Sequence, residues 1–524
     1  MKDIIKDEHE SNQIIGENIF LVPFTIEEIN ENIFISDNTS KQHLKNKIIN
    51  QAFNFHSRGK IIEATKYYEH FIEQGFKDYH VFSNYGVILK DLGKLEEAEL
   101  YQRKAIEINP DFPDAHSNLG NILRDLGKLE EAELYCRKAI ELKPDFPEAH
   151  SNLGIILSDL GNLKEAELYC RKAIELKLDY AEPYFNLGNI LRELGRLEDA
   201  ELAFRKAIGF KPDYGEAYYN LGNILRDLGK SKEAEISIVR STKLISNFNQ
   251  GYFSLSYVQL LRGNYESGLI NYEYRNIRNN NLNIHAKPSI EKFCNSKFKK
   301  GEKLLVVSEQ GIGDTLQFMR YIPHLRNLGL YVSFCAQTKL HSLIKQSGID
   351  SNPLTPDDAK NASEGQWIAL ISLLRYLKIN PNNPQIINPY IFSTDELIYK
   401  WKNILKKEER PIIGINWQGN PDSEKGSQKG RSFPLETFSI AAKDNFKFLS
   451  LQKGFGSEQL EHCSFKNKFV RCQSQIDHIW DFLENASIIS CCDLIITCDT
   501  SIAHLAAGMG KPTWLLLKNI HEWR

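Results

Sequence analysis

One triplet recurs at a fixed interval through the first half of the chain and limits what that half can become. Asn84-Tyr85-Gly86, Asn118-Leu119-Gly120, Asn152-Leu153-Gly154, Asn186-Leu187-Gly188 and Asn220-Leu221-Gly222 stand 34 residues apart. Gly93, Gly127, Gly161, Gly195 and Gly229 recur with them, as do Ala98, Ala132, Ala166, Ala200 and Ala234. A unit of this length holds two amphipathic helices and cannot bury its apolar face alone, so the units must stack. The glycine of the triplet lets the first helix approach its neighbour closely, and the alanine does the same for the second helix. Pro110, Pro144 and Pro212 stop their units, because proline cannot continue a helix. Leu178 and Ser246 stand where that proline would be, so those turns are less sharply specified. The register predicts seven units over residues 45–282. Ala52, Gly59 and Ala64 hold it in the first, and Ser256, Gly263 and Gly268 in the last.

These positions resemble the tetratricopeptide repeat. Such arrays form superhelices with an inner face lined by the first helices. The recurring Asn84, Asn118, Asn152, Asn186 and Asn220 invite two readings. An amide donates and accepts at once, which suits an extended peptide backbone. The same amides can instead tie neighbouring repeats together. On the first reading, a protein or peptide partner is expected on the concave face.

Composition narrows the rest. A chain of 524 residues needs more than one domain. Its net charge of -3 gives no support for a nucleic-acid or anionic-membrane partner. No run of 18 apolar residues suggests a transmembrane helix. The polar start MKDIIKDEHE lacks the basic and apolar regions of a secretory signal. Nine thinly spread cysteines, none spaced for zinc even at Cys491, Cys492 and Cys498, read as reduced thiols in a cytoplasmic protein. Residues 1–44 read as a polar leader and residues 283–303 as a linker.

From residue 304 the period changes. Short apolar runs at 304–307, 330–334, 367–371, 412–417, 446–451, 494–497 and 513–517 alternate with helical patterns at 315–327, 338–347, 435–443, 477–490 and 501–509. Continuously apolar strands between helices predict parallel sheets covered on both faces. A charged stretch ending Lys406-Lys407-Glu408-Glu409-Arg410 divides them into two α/β lobes, 304–392 and 410–524.

Three stretches at the ends of these strands carry candidate chemistry. In Ser308-Glu309-Gln310-Gly311-Ile312-Gly313-Asp314-Thr315-Leu316-Gln317, Gln310, Gly311 and Gly313 form a turn before a helix. Asp314 is either the helix cap, with Gln317 reaching back, or an exposed general base. Asp499-Thr500-Ser501-Ile502-Ala503-His504 opens a helix whose backbone N–H groups suit a phosphate, or which Thr500 or Ser501 caps. Asn416-Trp417-Gln418-Gly419-Asn420 leads into a basic loop containing Lys429 and Arg431, able to clamp a diphosphate.

Residues 308–314 and 499–506, with Gly508-Met509-Gly510-Lys511-Pro512, resemble the glycosyltransferases that include the lipopolysaccharide heptosyltransferases. More closely, the block Glu309 to Tyr321 and the segment Tyr272-Glu273-Tyr274-Arg275 look like bacterial proteins that fuse tetratricopeptide repeats to such a domain. The resemblance implies a GT-B fold of two Rossmann-like lobes, with the acceptor toward 304–392 and a nucleotide-sugar donor, as substrate, on 410–524. It implies no cofactor and no required metal. Asp314 then matches the catalytic base, and Asp499, Thr500, Ser501 and His504 the donor-phosphate segment. Lys429 or Arg431 matches a basic phosphate ligand. Gly311 stands where the family's turn has serine. The family carries further sequence after the strand at 513–517, including a helix that returns to the first lobe, so an incomplete second lobe is expected here. The expected activity is an inverting, metal-independent glycosyl transfer to an acceptor recruited by the repeats. The alternative is a repeat scaffold whose glycosyltransferase-like part no longer catalyses.

Overall fold

A computed structural model describes residues 38–276, 284–295, 297–386, 388–408, 411–421, 424, 431–443 and 445–517. The chain divides into two compact units, Met1–Ile224 and Leu225–Arg524. Among the described residues no helix is long and apolar enough to cross a membrane.

The first unit is a row of helix pairs. Asn38–Ser57 pairs with Ile61–Glu73, Tyr79–Asp91 with Leu95–Ile108, Pro113–Asp125 with Leu129–Leu142, Pro147–Asp159 with Leu163–Leu176, and Ala181–Glu193 with Leu197–Phe210. The opening helix starts at Asn38, seven residues before the expected start at 45, so the end of the supposed leader is helical. The remainder of that leader lies outside the described residues. Local signals set the ends. Asp78 accepts from the backbone N–H groups of His80 and Val81. Pro113 and Pro147 begin their helices, where a missing N–H costs nothing.

The triplet glycines are spatially required. A Cβ on Gly120 would lie 2.4 Å from Cys136 Sγ, one on Gly154 2.6 Å from Cys170 Sγ, and one on Gly188 2.7 Å from the Phe204 ring. The helices of each pair therefore touch through backbone on one side and a larger side chain on the other.

The second unit opens with the end of helix Gly215–Asp227, followed by Ser231–Leu244, Asn249–Leu261 and Tyr265–Tyr272. Among the described residues these complete the seven helix pairs that the spacing predicts. Two parallel sheets follow. The first contains β1 (Lys303–Val307), β2 (Tyr331–Cys335) and β3 (Gln366–Ala369) in the order β2-β1-β3. The second contains β4 (Ile412–Asn416), β5 (Lys447–Ser450), β6 (Leu494–Cys498) and β7 (Thr513–Leu516) in the order β5-β4-β6-β7.

Burial on both faces explains why β1 reads as an unbroken apolar run. Leu304 and Val306 join the large core containing Leu316 and Leu325, while Leu305 and Val307 join Ala286 and Ala359 on the opposite face. In the second sheet, Ile415, Phe448 and Ile496 form a core with Trp417, and Ile412, Leu449 and Ile495 join the large one.

The segment before helix Asp395–Leu405 ties the two sheets' helices together. The N–H groups of Tyr390 and Ile391 both donate to the Gly508 carbonyl, at 2.9 and 3.2 Å. The Tyr390 hydroxyl donates to the Leu316 carbonyl at 2.8 Å. A Cβ on Gly508 would meet Ile391 Cδ1 at 2.5 Å. The Gly508-Met509-Gly510 sequence is thus fitted to this crossing.

Candidate functional site

In each sheet the chain order reverses about a central strand, β1 in the first and β4 in the second. Ligands of open α/β sheets sit at the carboxyl ends of the strands beside such a reversal. A cavity of about 920 Å³ lies there, lined from the first sheet by Gly311, Gly313, Asp314 and Lys339, and from the second by Asn416, Gln418, Arg431, Lys453, Asp499, Thr500, Ser501 and His504. The three stretches singled out in the sequence therefore meet in one space.

Asp314 does not occupy the position that its spacing predicts. Helix Ile312–Phe318 is capped at Gly311, and Asp314 is its third residue. Asp314 Oδ2 accepts the Gly311 N–H at 3.1 Å, the role of the acidic residue in a capping box. The expected return bond from Gln317 does not form, and its buried Oε1 has no partner. The helix starts early because Gln310 takes a left-handed φ of 60° while Gly311 is extended.

Gln310 itself is turned away to bond the Tyr272 hydroxyl at 3.1 Å. Its neighbour Glu309 is fully buried and held by Arg275 through Nε at 3.0 Å and Nη2 at 2.8 Å. Half of the opening turn thus grips the last repeat, while Gly311 to Asp314 and Gln317 line the cavity.

Helix Ser501–Gly508 presents its N-terminus to the same space. Thr500 is its N-cap by position, but its hydroxyl makes no cap bond; it donates instead to Asn416 Oδ1 at 2.8 Å. The anticipated hydroxyl cap is therefore absent at Thr500, and the positive end of the helix dipole is turned toward the cavity. The two helix starts touch: a Cβ on Gly313 would lie 2.8 Å from His504 Cδ2. Asp499 pairs with Arg431 at 3.9 Å, and Arg431 Nε is buried with no hydrogen-bond partner. Lys429 lies outside the described residues.

Several lining residues escaped the sequence reading. Gln452 organises the floor of the cavity. Its Oε1 accepts from Asn416 Nδ2 at 2.7 Å and from the Gln418 N–H at 3.0 Å, while its Nε2 donates to the Gln418 and Phe455 carbonyls at 3.0 and 2.6 Å. Burial pushes the Lys453 ammonium down to about 8, against the pull of Asp477. Trp480 is mostly exposed at the rim. The available signal was Gln452-Lys453 at the carboxyl end of β5, a polar pair directly after an apolar run. Among the described residues no three His, Cys, Asp or Glu side chains gather as metal ligands.

The repeated asparagines are committed elsewhere. The Nδ2 atoms of Asn118, Asn152 and Asn186 donate to Ser83, Ser117 and Ser151 at 3.4, 3.0 and 3.2 Å, each one repeat back. Asn220 donates to Asn189 at 2.8 Å. Asn84 bonds Tyr68, and Asn84, Asn152 and Asn186 are buried. Of the two readings of this ladder, the geometry gives the one that joins repeats; a buried donor already paired has little left for a peptide.

Comparison with known proteins bears on the helical array. The description "Tetratricopeptide repeat" matches residues 113–146, 147–180 and 215–248, and "TPR repeat" matches residues 86–127 and 188–229. No curated protein matches the chain. Similar solved structures include Pseudomonas aeruginosa pilF, at 16% identity over 39% of this chain and 93% of that one, with a TM-score of 0.36. A tetratricopeptide repeat protein from Parabacteroides merdae is similar at 18% identity over 45% and 94%, with a TM-score of 0.37. YrrB, described as a TPR protein with an unusual peptide-binding site, is similar at 23% identity over 35% and 95%, with a TM-score of 0.28. The array between residues 86 and 248 is made of tetratricopeptide repeats.

Proposed function

We propose that the cavity binds a nucleotide-sugar and that the protein transfers the sugar to an acceptor held by its repeats. The supporting observation is the convergence of Asp314 with Thr500, Ser501 and His504 around one space of about 920 Å³ at the carboxyl ends of two parallel sheets. Two facing sheets of this kind are what a GT-B fold requires. In this reading the donor's diphosphate lies against the N-terminus of helix Ser501–Gly508, where the first-turn N–H groups and the helix dipole favour an anion. Arg431 and Lys453 add positive charge nearby. Asp314 takes the proton from an acceptor hydroxyl, the hydroxyl oxygen bonds to the anomeric carbon, and the nucleoside diphosphate leaves with the electrons of the broken bond. The same positive groups stabilise that departing charge. The Asp314 bond to the Gly311 N–H holds the carboxylate in place through one oxygen.

The repeats supply the acceptor. Tetratricopeptide arrays are interaction surfaces for proteins and peptides, which also supports a second reading: a scaffold whose cavity has no chemistry. Thermal denaturation with a panel of nucleotides and nucleotide-sugars separates the two. Transfer predicts stabilisation by at least one member, retained in Asp314→Asn because that carboxylate serves the acceptor. No stabilisation by any member at millimolar concentration leaves the scaffold.

A further inference from the structure

Asp314 is held in place through a residue of unfavourable conformation. Gln310 has a left-handed φ of 60°, which a residue with a side chain keeps only where its surroundings enforce it. The torsions of Gln310 orient the peptide that follows, and that peptide carries the Gly311 N–H. Asp314 Oδ2 accepts this N–H at 3.1 Å. A Gln310 relaxed to a negative φ would turn the N–H away, and the carboxylate would lose its bond.

The enforcing groups belong to the last repeat. Gln310 Nε2 donates to the Tyr272 hydroxyl at 3.1 Å. The preceding Glu309 is clamped by Arg275 Nε at 3.0 Å, by Arg275 Nη2 at 2.8 Å and by the Ile371 N–H at 3.0 Å. The turn therefore cannot relieve its strain by shifting upstream. Arg275 also braces Tyr272: its guanidinium lies 4.7 Å from the centre of that ring and donates to the Tyr272 carbonyl at 3.0 Å. Tyr272 is 1% exposed. It packs on Phe253 and Tyr257 of helix Asn249–Leu261, with ring centres 5.7 and 6.0 Å away. That is the first helix of the last pair, the kind that lines the inner face of such arrays. Contacts thus run without a gap from that helix to the Asp314 carboxylate. Neither Tyr272 nor Arg275 lines the cavity itself, so their effect on it passes through the turn.

We propose that Tyr272 and Arg275 are positioning residues for Asp314: they hold Gln310 left-handed and so keep the Gly311 N–H on the carboxylate. The consequence for sugar transfer rests on the role given to Asp314 above; the conformational claim does not.

Hydrogen exchange of the full chain, resolved to the Gly311 amide, tests the conformational claim. Tyr272→Phe keeps the ring and removes the hydroxyl. Arg275→Lys keeps the charge and removes the fork. Each should speed exchange at Gly311 about tenfold, with helical circular dichroism unchanged. Glycine takes a positive φ without steric cost. In a Gln310→Gly background, Tyr272→Phe should therefore add no further acceleration, a non-additivity that general loosening would not produce. Exchange at Gly311 unchanged in both variants, or accelerated equally by Tyr272→Phe in both backgrounds, would overturn the proposal. Incubation with a cell extract and a mixed pool of nucleotide-sugars gives the second readout. Tyr272→Phe should slow transfer about tenfold while keeping the wild type's thermal stabilisation by nucleotide-sugars, and an unchanged transfer rate would also overturn the proposal. A wild type that transfers nothing would refute the reading of the cavity, and exchange at Gly311 would still decide the positioning.

Discussion

Lys453 shows how much a single residue can report about the cavity. Burial lowers its ammonium from the ordinary 10.5 to about 8. Because the folded value lies below the unfolded one, the buried charge penalises folding in full below about pH 8. That penalty is relieved as pH rises from 8 toward 10.5. Binding an anion runs the other way, since only the charged form attracts it. The affinity of the cavity for a nucleoside diphosphate should therefore fall as pH rises from 7 to 9. Titration calorimetry should show that fall in the wild type and not in Lys453→Met. In the sequence Lys453 shows only as half of a polar pair after an apolar run, because the burial that lowers it exists only in the fold. Gly313 teaches the same lesson. Its freedom was legible as part of a turn, but the His504 ring that requires it belongs to the helix after β6.

At the scale of elements, periodicity located the seven strands of the described residues to within about two residues at each end, because each reads as an apolar run, although β7 and the first half of β2 are not buried. Helix ends were less legible. The segment expected as one helix over 315–327 is two, Ile312–Phe318 and Tyr321–Asn327. The one expected over 477–490 begins as Gln473–Asp477 and restarts at Phe482 under an Asp481 cap. Residues 435–443 form a 3-10 helix. The buried pair of Arg275 and Glu309 was not foreseen as a contact, although both residues belonged to blocks that drew attention. Arg275 also donates to Ser372 at 2.8 Å, and Glu309 also accepts the Ile371 N–H at 3.0 Å, so the pair joins the last repeat to both β1 and the segment after β3. Arg275→Met should cost about 3–5 kcal/mol, because a buried carboxylate loses its partner. Adding Glu309→Gln should recover part of that loss, and urea denaturation of the two variants measures both effects.

At the scale of the whole molecule, the repeats and the sheets respond to different conditions. In the repeats, burial holds the His56 imidazole down at about 4, and His116 and His150 are also lowered, chiefly by burial. The unfolded chain takes up these protons first, so stability should fall as pH drops from 6.5 toward 4, by up to about 3 kcal/mol for His56. Hydrogen exchange in helices Asn38–Ser57 and Ile61–Glu73 at pH 7 and pH 5 measures this directly. The solenoid was legible because its period repeats the same small residues in every unit. The site was legible only in pieces, since β1 and β6 lie nearly two hundred residues apart and only folding brings their carboxyl ends together. Mass spectrometry of a cell extract incubated with a mixed pool of nucleotide-sugars tests the joint role of those pieces most directly. The wild type should add a monosaccharide mass to an extract protein, and Asp314→Asn should add none while still binding nucleotide. Equal products from both proteins would contradict the role given to Asp314, and no product from either would contradict the transfer itself.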